Sequence, residues 1–204
     1  MASILKVDTI QDQSGNNIIN ENANTVTIGK SGDTVNVVGT LQNGGTNFLQ
    51  GITEADQWKL TTSLTNPGGS DTTITANLER VDEPTFAKIG TGMTESSGVF
   101  SFPSTGIYLV MAQATLVADN AAQIILQTRF DVGAGYITAA QIDGGSETNE
   151  GRSSGYSSAF IDVTDIATCK AKFTTSLFAN ASQILVGATD TNRTSFTFIR
   201  LGDT

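Results

Sequence analysis

Histidine is absent from this chain of 204 residues, and cysteine and tryptophan occur once each. Without histidine, nucleophilic hydrolysis of the Ser-His-Asp or Cys-His kind is excluded and the usual metal-ligand repertoire is depleted. The single Cys169 rules out an intrachain disulfide. It sits in the strand-like run A-T-C-K-A-K-F, where a small buried apolar side chain is the ordinary role; a reactive thiol would need neighbouring activation. Positive charge is also scarce, with 11 Lys and Arg against 20 Asp and Glu and a formal net charge of -9. Such a chain repels nucleic-acid phosphates, and its scattered acids read as surface solubility. Long apolar runs are missing too. No stretch approaches the ~20 apolar residues that span a bilayer, and M-A-S-I-L-K-V-D-T-I lacks the continuous apolar centre of a signal peptide. A soluble chain made in the cytoplasm is expected, with no membrane insertion and no nucleic-acid partner.

What is abundant is the material of strands and tight turns. Hydrophobic residues reach 38%, enough for a core, and Gly, Thr, Ser and Asn fill much of the remainder. From Met1 to about Gly45 short β-prone runs alternate with polar turns, and Thr25 to Ile28 and Thr34 to Val38 read as a half-buried hairpin. Such strands are too few to bury a core alone. Their apolar residues, among them Ile4, Val7, Ile10, Ile18, Val26 and Ile28, need contacts from identical or different partners. Residues 1–45 are therefore expected to form a β-structured stalk or anchor. L-Q-N-G-G-T-N reads as a break, and residues 46–54 as a hinge. I-T-E-A-D-Q-W-K-L opens either with one helical turn or directly as a strand. From residue 55 to 204 strand-length runs and turn signals follow one another regularly, from W-K-L-T-T-S-L-T to T-S-F-T-F-I-R-L. About ten short strands without a convincing helix imply an all-β sandwich or jelly roll.

Candidate chemistry is sparse. A paired-carboxylate glycosidase needs two acids at suitable separation, and the clusters on offer are Asp162 with Asp165, Glu147 with Glu150, and Glu79 with Asp82 and Glu83. Each lies beside turn signals, where a solvated carboxylate is the ordinary outcome. D-V-T-D lacks the further acids of a dedicated calcium loop. Gly133, Gly135, Gly144 and Gly145 make no phosphate cradle, because no Lys-Ser/Thr follows them, and they read as hairpin turns. Trp58, set among strand residues, is assigned to core packing. No catalytic, cofactor or metal residue is assigned, and the chain is expected not to be an enzyme.

F-S-F-P-S-T-G-I-Y-L-V, Phe100 to Val110, resembles the tumour-necrosis-factor and complement globular-head superfamily, in which a Phe-rich strand, a Pro-containing turn and Gly lead into an aromatic-rich central strand. A-F-I-D-V-T-D-I-A-T-C-K-A-K-F is similar to that family's penultimate strand pair, and S-F-T-F-I-R-L-G-D to its last strand. The resemblance spans residues 55 to 204. D-Q-W-K-L-T-T-S-L, N-L-E-R-V-D and I-G-T-G-M-T-E-S-S-G-V-F-S-F-P-S-T-G look like structural proteins of marine bacteriophages, and V-D-T-I-Q-D-Q-S-G-N-N-I-I looks like openings of fibre-like proteins from the same source. Together they imply a homotrimer, because heads of this superfamily pack three jelly rolls around a threefold axis, with Tyr108, Phe173 and Phe198 as expected axis contacts. They also imply a virion fibre or appendage that assembles with other capsid or tail proteins through residues 1–45. A capsid decoration or head-fibre protein uses the same trimer. A carbohydrate-binding or depolymerase module that contacts host surface glycan is the alternative of a different class.

Overall fold

Turn chemistry decides where the strands of this chain stop. Ser97 and Gly98 both take left-handed backbone angles, with φ of 52° and 81°, the geometry of a two-residue hairpin whose twist matches its flanking strands. A side chain on Gly98 would run into the Ile74 carbonyl. The computed structural model describes residues 37–39, 41–43, 46–47, 51–81, 87–149 and 151–204. The chain divides into two compact units, Met1–Leu49 and Gln50–Thr204.

Within the first unit, β1 (Gln42–Asn43) pairs antiparallel with β2 (Thr46–Asn47), Gln42 opposite Asn47. The run expected as a break thus holds a short ladder. Val37 and Val38 are exposed. The expected anchor residues Ile4, Val7, Ile10, Ile18, Val26 and Ile28 lie outside the described residues.

The second unit is all-β among the described residues. Its strands are β3 (Ala55–Leu60), β4 (Leu64–Thr65), β5 (Thr72–Thr73), β6 (Leu78–Arg80), β7 (Thr94–Ser96), β8 (Val99–Ser101), β9 (Gly106–Ala118), β10 (Ala121–Val132), β11 (Ile137–Ser146), β12 (Gly151–Val163), β13 (Cys169–Ser176), β14 (Ile184–Leu185) and β15 (Ser195–Gly202). They form two antiparallel sheets. One is six-stranded, in the order β11-β10-β13-β8-β7 with β5 also on β13; the other is seven-stranded, in the order β4-β14-β9-β15-β3-β6 with β12 on the free side of β9. Residues 55–60 therefore enter directly as a strand, without a helical turn.

The sheets enclose an aromatic core. Phe173 and Phe196 stack with centroids 3.7 Å apart, Phe100 lies 5.1 Å from Phe198, and Phe102 lies 4.8 Å from Tyr108. Burial of each such side chain stabilises the fold by about 1.5–3 kcal/mol, and the ring pairs add about 0.5–1.5 kcal/mol each. Cys169 is free and fully buried at the start of β13. Trp58 is half-buried against this core, edge-on to Phe100 at 5.5 Å. Its indole N–H donates to Asp56 Oδ2 at 3.0 Å, and the Arg80 guanidinium lies 4.7 Å over the ring. The buried Asp56 carboxylate also accepts from Arg80 Nε at 3.0 Å and from the Met93 amide at 2.7 Å, so one charge ties β3 to β6 and to the strand-free segment before β7.

Gly144 and Gly145 are not turn residues. Both lie inside β11: a side chain on Gly144 would collide with Ser153 of β12, as one on Gly155 would with Ile142, and a side chain on Gly145 would run into the Ala122 carbonyl of β10. Close approach between strands is the reason for glycine here. Gly133 and Gly135 do form the β10–β11 turn, and both amides donate to Asp131 Oδ1, at 2.8 and 3.0 Å.

Candidate functional site

The longest ladder in the molecule pairs β9 with β12 along 13 residues, from Gly106 opposite Val163 to Ala118 opposite Gly151. Side chains alternate across a strand, so the even positions of β9 fill the sandwich and the odd ones face outward. Tyr108, Val110 and Ala112 are buried accordingly, while Ile107, Leu109 and Met111 are partly exposed. Residues directly opposite one another share a face. Phe160 of β12 faces Leu109, and Leu109 faces Ile199 of β15 on its other side. In the next row Ser158 faces Met111, which faces Thr197, which faces Gln57 of β3. Tyr156 faces Gln113 one row further on.

The outcome is an apolar row across three strands on the solvent side of the seven-stranded sheet, flanked by a second aromatic ring. Tyr156 is 72% exposed and Phe160 66%. Beside them, a shallow concavity of about 260 Å³ is lined by Gln57, Met111, Gln113, Tyr156 and Thr197. Its polar members are mutually fixed: Gln57 Nε2 donates to Thr197 Oγ1 at 2.8 Å, Asn192 Nδ2 to Gln57 Oε1 at 2.9 Å, and Gln113 Nε2 to the Asn192 carbonyl at 2.8 Å. The second edge of β12 carries no ladder among the described residues. Native edge strands are normally blunted by Lys, Pro or brevity. This one has 13 residues, no Lys or Pro, and charge only at Arg152 and Asp162 near its ends.

The axis contacts expected from the sequence are not part of this surface. Tyr108, Phe173 and Phe198 are each 1% exposed and pack into the aromatic core of their own chain, so they have no surface to offer a second subunit. Parity is the cause, because they share the inward face with Val110, Ala171 and Phe196. Tyr108 donates to the Ser104 carbonyl at 3.1 Å, and burial pushes its phenol above the usual 10, against the opposing pull of the Ser104 hydrogen bond. Tyr156 and Phe160 were missed, although a signal exists: both fall in phase with Arg152, Ser154, Ser158 and Asp162, the polar positions of their strand.

The carboxylate clusters do not converge. Asp165 caps its own turn, accepting from the Ala167 amide at 2.8 Å and from Thr168 Oγ1 at 3.2 Å. Asp162, Glu147 and Glu79 are exposed, and Asp82, Glu83 and Glu150 lie outside the described residues. Among the described residues no three acidic or thiol side chains gather as a metal site, and no helix is long and apolar enough to cross a membrane.

No protein-family model and no curated protein matches the chain in sequence. Solved structures do match in shape. Eiger TNF from S. frugiperda superposes with a TM-score of 0.55 at 16% identity, covering 74% of this chain and 93% of that one. Murine APRIL at pH 5.0 gives 0.52 at 17% identity, covering 72% and 98%. The globular domain of zebrafish complement 1qA protein gives 0.50 at 10% identity, covering 74% and 99%. The second unit thus has the tumour-necrosis-factor and complement globular-head jelly-roll fold. Identities this low speak for the fold alone.

Proposed function

We propose that this chain is a non-enzymatic structural protein of a bacteriophage virion, a homotrimeric fibre or appendage acting in assembly and host attachment. The observation that carries self-association is the uncharged row Phe160, Leu109 and Ile199 beside the unguarded β12 edge. Large aromatics at the centre of an apolar patch are what protein interfaces bury. Copies of the same chain are the occupant that the fold favours, since the resemblance implies threefold packing of such heads. The virion role is supported by the likeness of V-D-T-I-Q-D-Q-S-G-N-N-I-I and I-G-T-G-M-T-E-S-S-G-V-F-S-F to marine-phage structural proteins. In this reading residues 1–45 attach to the particle.

Light scattering coupled to size exclusion tests the first half. The expected mass is about three times the 21.3 kDa of one chain, and a stable monomer at micromolar concentration would sink it. Deletion of Met1 to Gly45 tests the second half: the head stays soluble and folded but no longer enters particles. Normal incorporation of the truncated protein would overturn the anchoring role.

A further inference from the structure

A groove of about 330 Å³ opens between β4 of the seven-stranded sheet and β5 of the six-stranded one. Ten residues line it, none of them charged, and six bring a hydroxyl: Ser63, Thr65, Thr72, Thr73, Thr75 and Thr175. Apolar surface comes from the half-buried Leu64 and Pro67 and from Ile74 beneath. Its volume falls at the lower end of small-ligand sites, which run from roughly 300 to 1,000 Å³.

We propose that this groove binds a neutral carbohydrate. A hydroxyl both donates and accepts and rotates to suit its partner, which matches the hydroxyl-dense rim of a sugar, while Leu64 and Pro67 suit its C–H face. The chemistry excludes the other classes. No cation in the lining meets a phosphate, sulfate or uronate, no carboxylate meets a metal, and the hydroxyl majority opposes a purely apolar ligand.

The walls are fixed before any ligand arrives. On one side the Asn66 amide donates to the Gln183 carbonyl at 3.0 Å; on the other the Ile74 amide donates to the Phe173 carbonyl at 3.0 Å and the Phe178 amide to the Gly68 carbonyl at 3.2 Å. Three of the hydroxyls are engaged: Ser63 with Gly187, Thr72 with the Ser70 carbonyl and Thr175 with the Thr72 carbonyl. The hydroxyls of Thr65, Thr73 and Thr75 have no hydrogen-bond partner among the described residues, so their donors and acceptors are unspent, and ladder pairing of Thr65 with Ile184 and of Thr73 with Thr174 fixes the backbone that carries two of them. Rigid sites of this kind lose less freedom on binding.

Position adds a second argument. The chain enters the sandwich at Ala55, which faces Ile199, itself opposite Leu109 near the start of β9. The groove is held by β14, which pairs with Leu116 and Val117 near the end of β9. At ~3.3 Å per strand residue, the groove lies roughly 23 Å along the sandwich from the point of entry, clear of the apolar row around Phe160.

The test is titration of the full chain with short malto-, manno- and galacto-oligosaccharides, followed by saturation-transfer NMR, with oligouronates of the same length alongside. At least one neutral series is expected to bind and the uronates not. Thr65→Val with Thr73→Val preserves shape and strand preference but removes one hydroxyl from each wall, and is expected to weaken binding roughly tenfold or more with the unfolding temperature unchanged. Ala76→Arg on the exposed rim is a second probe that leaves both walls intact and is expected to block the groove. Absence of binding by every neutral series, preference for uronates, or unchanged affinity in both variants overturns the inference. Light scattering on the same samples keeps it separate from the assembly reading: a trimer that ignores sugars defeats only the groove, and a monomer that binds them defeats only the trimer.

Discussion

The two sheets of the sandwich turn very different outer faces to solvent. On the six-stranded sheet Arg129 of β10 faces Lys172 of β13, and Asp131 faces Lys170. Like charges set directly opposite are unfavourable, yet each finds compensation: Arg129 pairs with Asp71 at 2.7 Å, and Lys172 lies 4.0 Å over the Tyr136 ring. Further along, Thr174 Oγ1 donates to Gln127 Oε1 at 3.0 Å, and Gln123 Nε2 to Asp143 Oδ1 at 2.6 Å. This face is finished as it stands, with its charges matched within one chain. The outer face of the seven-stranded sheet carries Phe160, Leu109, Ile199 and Met111 in adjoining rows, with its polar groups set to either side: Lys59 Nζ donates to the Thr189 carbonyl at 2.6 Å, and the hydroxyls of Thr115 and Ser154 meet at 3.1 Å. The difference is between a face whose charges pair within one chain and a face whose centre is an uncharged apolar row.

The largest expected effect lies between the two faces. Phe173→Ala removes a ring stacked on Phe196 and should cost about 3–5 kcal/mol, read from denaturant unfolding, while the mass of the folded species stays unchanged. Loss of association at full stability would return Phe173 to the interface. Next comes Phe160→Glu, which places a charge in the centre of the apolar row. Truncation of a central aromatic costs about 2 kcal/mol or more per contact, so light scattering should show dissociation with the β-sheet circular dichroism retained; an unaltered mass would show that this face is not the interface.

Lys172→Gln sharpens the contrast from the other side. Removing the cation over Tyr136 forfeits about 0.5–1 kcal/mol, part of which is returned as the repulsion from Arg129 is relieved; stability should fall slightly with assembly untouched, and a fall in mass would erase the distinction between the faces. The smallest effect is alkaline. Burial raises the phenol of Tyr108 and, with help from Asp131, that of Tyr136. In the unfolded chain these groups ionise near ~10, whereas in the folded chain they hold their protons to higher pH. Their contribution is therefore complete below that value and drains away as pH climbs through the folded values. Thermal unfolding followed from neutral to strongly alkaline pH should show the decline, and it should be shallower in Tyr108→Phe.

How much of this was legible from sequence depends on the strand. The P-S-T-G turn before β9 and the closing S-F-T-F-I-R-L were readable as turn and strand because turn residues and alternation agree there, although alternation alone does not say that Phe198 looks inward. β9 itself was not, because I-Y-L-V-M-A is apolar at both parities, and a strand covered on both sides carries no mark of which face looks inward. Tyr108 was accordingly sent outward. On β12 the alternation was readable, but its two aromatics occupy the polar phase, which marks exposure only once inside and outside are known. Gly144 and Gly145 looked like a turn because no sequence rule reveals that β12 lies close over the first and the β10 backbone presses on the second.

The place of β15 has a consequence for how the head is made. This strand sits between β9 and β3, so that Gln57 and Thr197, 140 residues apart, meet across one hydrogen bond. During synthesis β3 is among the first segments of this unit to emerge; β6 follows soon after on one side, but the other side stays open until residues 195–202 arrive. Pairing at such separation is slow, since the long loop must close before any contact compensates for it. The seven-stranded sheet is therefore completed only when Ser195–Gly202 arrives, and a chain broken anywhere before Ser195 leaves it unfinished.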